Sequence, residues 1–348
     1  MKVSIKTVCI IIILLASSIL FISGCGGTTT VEGLVLEKMG VMYVGGKTVE
    51  PQEGQTEWIE QVPVHYLIPA NVTRDLPVIM IPGMGLTSSI YLSTPDGRDG
   101  WATIFAEAGF EVYVMDEPNN AVSSFNVIPF DEVESGDLSP SEMPGFTKWN
   151  TESSWSTWGM GETYPTPFED SLFPAEYAEE FFKSITPVYS EGMSDNRFGW
   201  RQKAPGLAAL LGEVGPAIVI CHSASGKTAF EAMKMEPHLM KGLVAIEPAG
   251  VPSNEDDFLS YMTEIGDIPF LSMHGDYFNP WRTQQEGNQT NCQNVADVLS
   301  ANGGSGQVID LPDVEGIVGN SHLMMIDNNN DDLADMIIDW LNEHVFGQ

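Results

Sequence analysis

The stretch Cys221-His222-Ser223-Ala224-Ser225-Gly226 decides how this chain folds. An apolar run, Ala217–Ile220, precedes it, and a helical pattern, Lys227–Met235, follows, so it joins a buried strand to a helix. A serine at that junction sits on a sharp, strained turn that lifts its hydroxyl above the sheet. The turn needs small residues two places before and two places after the serine, because the strand and helix backbones approach closely. Cys221 and Ser225 meet that need, although neither is Gly. The helix start supplies a positive dipole end. The Ala224 N–H then points to where the oxygen of a tetrahedral intermediate would form.

Outward from this turn the chain alternates buried strands and helices. Upstream, Pro77–Ile81 is an apolar run ending in Pro82-Gly83-Met84-Gly85, Trp101–Ala108 patterns as a helix, and Glu111–Met115 is a strand. Downstream, Leu243–Ile246 ends at Glu247-Pro248, and Pro269–Met273 ends at His274-Gly275-Asp276. Val308–Leu311 is the last strand candidate and Asp331–Val345 an amphipathic closing helix. Such alternation predicts a mostly parallel sheet with helices on both faces. Ahead of it, Val41–Val44 and Val62–Ile68 predict an antiparallel pair. Between about Asn119 and Arg201 the rhythm stops in favour of Pro, Ser, Glu and aromatics, with one helix over Pro174–Ile185. A long irregular insert in a compact domain is a functional lid or disorder, and its aromatics argue against disorder. The domain plan is therefore a core over 35–118 and 202–348, with a cap inserted over 119–201.

These motifs in this order resemble the α/β-hydrolase superfamily from about residue 60 to the C-terminus. Three stretches narrow the resemblance: Thr94-Pro95-Asp96-Gly97-Arg98-Asp99-Gly100-Trp101, Ile246-Glu247-Pro248-Ala249-Gly250 and Gly319-Asn320-Ser321-His322. They are similar to a small group of bacterial secreted esterases whose triad acid is a Glu after strand six. The sequence departs from the superfamily pattern in lacking both elbow glycines and in carrying Pro82-Gly83 where His-Gly is common. Neither change touches a group that must move a proton.

For this fold the chain order is nucleophile, acid, then histidine. Ser223 is thus the nucleophile. Of six histidines only His322 and His344 follow the last strand candidate. His322 lies in a loop after a strand, where a general base belongs, whereas His344 ends the closing helix. Two carboxylates compete for the acid. Asp276 occupies the position most of the superfamily uses, and Glu247 matches the narrower group. Glu247 is preferred, with Asp276 as the alternative. Main-chain N–H groups of Met84 and Ala224 form the expected oxyanion hole. His222, the elbow spacer, has a packing or hydrogen-bonding role. No cofactor is implied, and no metal-ligand spacing is present.

The N-terminus is a processing signal. Lys2 and Lys6 precede an apolar run from Val8 to Ile22, then Ser23, Gly24 and Cys25, which describes a secretory signal peptide over 1–24. Ile22-Ser23-Gly24-Cys25 resembles the bacterial lipobox, implying export to the cell envelope, a lipidated Cys25 and a tether over 25–34. Among 348 residues, 15 Lys plus Arg stand against 48 Asp plus Glu. That field repels nucleic acid and anionic headgroups, leaving the lipid as the one membrane contact. An apolar fraction of 43% supports a packed core.

Two other readings bear on the same residues. Ser225-Gly226-Lys227-Thr228 with Cys221 falls one residue short of a phosphate-binding loop, but the missing first Gly obstructs the backbone cradle. The main alternative is a non-catalytic cell-surface lipoprotein that keeps the fold and binds a ligand under its aromatic cap. The expected function is hydrolysis of a carboxylic ester, small or polymeric, through an acyl-enzyme.

Overall fold

The computed structural model describes residues 33–120, 122–190, 200–253, 258–259, 268–276 and 282–348. The leader over 1–24, Cys25 and most of the tether lie outside the described residues, as does 191–199 of the insert.

Ten strands are described: β1 (Leu36–Val49), β2 (Glu57–Pro69), β3 (Val78–Ile81), β4 (Val112–Met115), β5 (Gly145–Thr147), β6 (Val188–Ser190), β7 (Ala217–His222), β8 (Met240–Ile246), β9 (Phe270–His274) and β10 (Gly306–Asp310). Eight of them form one sheet in the order β1-β2-β4-β3-β7-β8-β9-β10. From β4 to β10 every pairing is parallel, whereas β2 pairs antiparallel with both β1 and β4. The central strands are short and buried on both faces, as parallel strands under helices must be.

Five helices cover this sheet: α1 (Trp101–Glu107), α2 (Trp200–Val214), α3 (Ser225–Met235), α4 (Arg282–Ala301) and α5 (Asn330–His344). Successive strand residues point to opposite faces, and the core divides accordingly. Val78 and Met80 of β3, with Ile218 and Ile220 of β7, join Trp101, Phe105, Leu333 and Ile337 of α1 and α5 on one face. Ile79 and Ile81, with Val219 and Cys221, join Leu207, Leu211, Phe230 and Val295 on the other. Each such side chain contributes about 1.5–3 kcal/mol on burial, so the sheet is fixed from both sides.

The structure extends several of the predicted elements. β1 and β2 run far beyond the predicted short pair. The helices α2 and α4 were not evident in the sequence, because α2 carries Pro205 and α4 is dominated by polar residues. The insert holds helices at Ile128–Ser135, Thr151–Thr157 and Ala178–Lys183, plus a β5–β6 ribbon. Its aromatic residues largely pack on one another: Trp155 lies against Tyr164, Phe173 and Phe182, and Trp158 against Trp149 and Phe181. Trp155 and Phe173 also belong to the main core, so this part of the insert is a continuation of it.

Candidate active site

The C-terminal ends of β7 and β8 carry two non-glycine residues in the left-handed region: Ser223 at φ 54° and Glu247 at φ 41°. Such conformations cost on the order of 1–3 kcal/mol each and persist only where the surroundings impose them. At Ser223 the imposition is visible. Its N–H donates to Ile246 O (3.0 Å), and its carbonyl accepts from Gly226 N (3.0 Å) and Ala249 N (2.7 Å). The elbow is thereby stitched to the strand end that presents Glu247. Ser225, at the position where the superfamily usually has Gly, adds a lock that the sequence did not disclose. Its hydroxyl accepts from His222 N (2.8 Å) and faces the carbonyls of His222 (2.7 Å) and Ile81 (3.1 Å). A true glycine is kept at Gly226, where a Cβ would stand 2.7 Å from Pro248 Cβ and 2.8 Å from Ala249 O.

Glu247 and His322 meet. His322 Nδ1 and Glu247 Oε2 share a hydrogen bond, and Glu247 Oε1 accepts from Gly275 N (2.9 Å). Both side chains are buried. Burial pushes the Glu247 carboxyl up to about 8, against the Gly275 hydrogen bond, and holds the His322 imidazole down to about 4. With Nδ1 engaged by Glu247, Nε2 is the ring nitrogen left for chemistry. The backbone of His322 is pinned at both ends: its N–H donates to Trp158 O (2.9 Å), and its carbonyl accepts from His222 Nε2 (2.8 Å). The His222 ring also lies 4.6 Å from that of His322. His222 therefore braces the His322 backbone, with its own basicity pushed well down by burial.

Asp276 does other work. Both of its carboxylate oxygens accept from Gly319 N (3.0 and 2.9 Å), which holds the start of the loop carrying His322. Among the described residues the Ser223 hydroxyl makes no hydrogen bond to His322. The structure thus brings Glu247 and His322 into direct contact, with Ser223 stitched by its backbone to the strand end that presents Glu247.

Around Ser223, the loop Pro82–Gly85 makes the nearest wall. A Cβ on Gly83 would lie 2.9 Å from both Ser223 Cβ and His222 Nδ1, so the loop passes the serine too closely for a side chain there. Gly85 turns the loop back at φ 77°, and its carbonyl is held by Thr186 N (2.9 Å) from the insert. Among the described residues the main-chain N–H groups of Met84 and Ala224 donate to no other group. Two uncommitted donors thus flank the serine. Among the described residues no group of three or more His, Cys, Asp or Glu could hold a metal ion.

A mostly parallel sheet wrapped by helices, with a strained serine elbow after β7 and a histidine loop before the last helix, is the α/β-hydrolase fold. The chain is similar over that whole architecture to a bacterial esterase of known structure, at 29% identity and a TM-score of 0.79, with 90% of this chain and 97% of the esterase covered. It is also similar to a protein described as probable secreted lipase phiG, from Fungal sp. (strain ATCC 74256), at 26% identity over 351 residues, spanning 88% of this chain and 90% of the lipase. No protein-family model matches the chain. Its likeness is to esterase- and lipase-like hydrolases.

Proposed function

We propose that the protein hydrolyses carboxylic esters through an acyl-enzyme, with Ser223 as nucleophile, His322 as general base and Glu247 as the acid that orients it. The observation that carries this reading is the buried Glu247–His322 hydrogen bond, which engages Nδ1 and leaves Nε2 of a neutral imidazole for proton transfer. Substrate binding closes the remaining contact, since nucleophile–base hydrogen bonds commonly tighten only in the complex. Nε2 takes the Ser223 proton as Oγ attacks the ester carbonyl. The N–H groups of Met84 and Ala224 hold the developing oxyanion, each worth roughly 3 kcal/mol in the transition state. Imidazolium then passes its proton to the departing alkoxide. Water, deprotonated by the same Nε2, releases the acid and restores the serine.

The two relatives, described as an esterase and as a lipase, support an ester substrate. The described part of the insert over 119–201 acts as a cap, tied to the Pro82–Gly85 loop through Thr186 and to the His322 loop through Trp158. Export with a lipid anchor at Cys25 rests on the leader sequence, and the fungal relative's description as secreted agrees with export. A fluorophosphonate probe should label the folded protein at Ser223, located by peptide mass. Absence of labelling, or equal labelling of Ser223→Ala, rejects the nucleophile.

The working form of the pair is the Glu247 carboxylate beside neutral imidazole. Burial opposes net charge on this pair, so one proton is taken up as pH falls, at about 8. The sign follows: kcat/KM is full above that value and declines below it. A pH profile should show an acid limb above the ordinary histidine value of about 6.5. A limb at or below 6 contradicts the pairing.

A further inference from the structure

The stretch Thr94–Trp101 stands apart from the chemistry described above. It closes on itself: Thr94 Oγ1 accepts from Arg98 N (2.9 Å), Gly97 N donates to Thr94 O (3.0 Å), and Ser93 bridges Asp99. The closed loop aims the Arg98 guanidinium at the turn over 326–330, far along the chain. Nε pairs with Asp96 Oδ2 (2.7 Å), Nη2 donates to Ile326 O (3.1 Å), and Nη1 donates to Asp327 O (3.0 Å) and to Asn330 Oδ1. Trp101 Nε1 donates to Asn330 O (2.7 Å), and Asn330 Nδ2 returns to Asp99 O (2.9 Å).

The turn held in this way bears the fully buried Asp327. Its Oδ2 accepts from Ser321 N (2.7 Å) and Asn320 Nδ2 (3.0 Å), and its Oδ1 from the Ser321 hydroxyl (2.7 Å). Ser321 Oγ in turn accepts from Leu323 N (3.0 Å). His322 lies between Ser321, which is fastened to the Asp327 carboxylate directly, and Leu323, which is tied to it through the Ser321 hydroxyl. Arg98 fixes the backbone of the residue that carries it. The arrangement needs a planar fork of donors, which lysine lacks.

We propose that Arg98 and Asp327 are positioning residues: a clamp from the Thr94–Trp101 loop to the 326–330 turn holds His322 in line between Glu247 and Ser223. This inference rests on the catalytic reading above. With the clamp released, the imidazole drifts, and a misplacement of about 1 Å costs roughly 100-fold in rate.

The test compares Arg98→Gln, Arg98→Lys and Asp327→Asn with wild type on a short-chain p-nitrophenyl ester. Arg98→Gln and Asp327→Asn should each lower kcat by roughly 30- to 100-fold while KM stays within about threefold, because the fault lies in alignment. Arg98→Lys should recover at most about a tenth of the lost rate. The acid limb of the pH profile should move down toward the ordinary histidine value as water enters the loosened pair. An independent readout is the low-field proton resonance of His322 Nδ1–H, identified by its loss in His322→Gln. It should be sharp in wild type and broadened in Arg98→Gln.

A folded Arg98→Gln protein with unchanged kcat and resonance overturns the clamp, as does a fall in Tm with kcat intact. If Arg98→Gln does not fold, Arg98→Lys and Asn330→Ala are measured by the same criteria. Full activity in Ser223→Ala would instead sink the hydrolase reading, and the resonance would still decide the clamp.

Discussion

Replacing Ser223 with alanine should lower kcat/KM for an ester by about a million-fold and leave the fold intact. The hydroxyl makes no hydrogen bond to His322 among the described residues, so its removal leaves no buried group unpaired there. The strained φ of 54° is imposed by backbone hydrogen bonds from Gly226 N and Ala249 N and to Ile246 O, all of which survive the substitution. Tm should therefore stay within about 2 °C, since an unstrained, unbonded side chain contributes little. His322→Gln should cost about as much as Ser223→Ala, and the double variant scarcely more than either, because nucleophile and base act as one unit. His222 cannot stand in as base. It is wholly buried, and its Nε2 is committed to the His322 carbonyl. A residual rate of roughly a thousand-fold over water should persist through the Met84 and Ala224 donors. Losses that add in the double variant, or a Ser223→Ala protein within tenfold of wild type, would contradict the unit.

Much of this arrangement is local, and local arrangements leave a mark in sequence. The apolar run into Cys221 and the small residues around Ser223 specify strand, turn and helix within Ala217–Met235. Pro82-Gly83-Met84-Gly85 likewise marks a tight loop after a buried strand. His322 could be placed by chain order once the fold was recognised. What resisted reading was contact between segments remote in the chain. Ser225 seemed merely small, yet its hydroxyl reaches Ile81 across the sheet. Arg98 meets residues more than two hundred positions later, a distance no periodicity encodes. The insert looked irregular because its helices are short and its apolar residues are aromatics packed on one another. Helix α4 is hidden for the opposite reason: its polar face dominates, and among the described residues its buried apolar side is marked by Cys292, Val295, Ala296, Val298 and Leu299.

The choice between the two carboxylates is the sharpest case of this limit, and it carries the second large expected effect. Both Glu247 and Asp276 follow parallel strands, so sequence position alone serves either. In the structure Glu247 Oε2 hydrogen-bonds His322 Nδ1, while both oxygens of Asp276 accept from Gly319 N. Consider Glu247→Gln. The Oε1 site must remain an acceptor, because Gly275 N donates to it. The amide oxygen takes that site, and the NH2 group turns to His322. Nδ1 must then be the acceptor and Nε2 the protonated nitrogen, the tautomer that cannot take a proton from Ser223. The expected loss is about 10,000-fold in kcat with KM little changed. Asp276→Asn keeps one oxygen for Gly319 N and should cost less than about tenfold, through loosening of the histidine loop.

The same substitution should act on stability in the opposite sense. Burial raises the Glu247 carboxyl to about 8 in the folded protein, above its unfolded value of about 4.5. A group raised in this way supports the fold below its unfolded pKa and loses that support as pH climbs through the folded one. Glu247→Gln removes the titration, so its Tm relative to wild type should increase from pH 5 to pH 9 while activity is absent across the range. A strained, charge-opposing site that weakens the fold where it works best is the pattern expected when stability is traded for catalysis. Measured side by side, a larger kinetic loss in Asp276→Asn than in Glu247→Gln would move the acid to Asp276. A Tm difference that stays flat with pH would show that Glu247 is ionised throughout, and the predicted acid limb near 8 would then have to belong to another group.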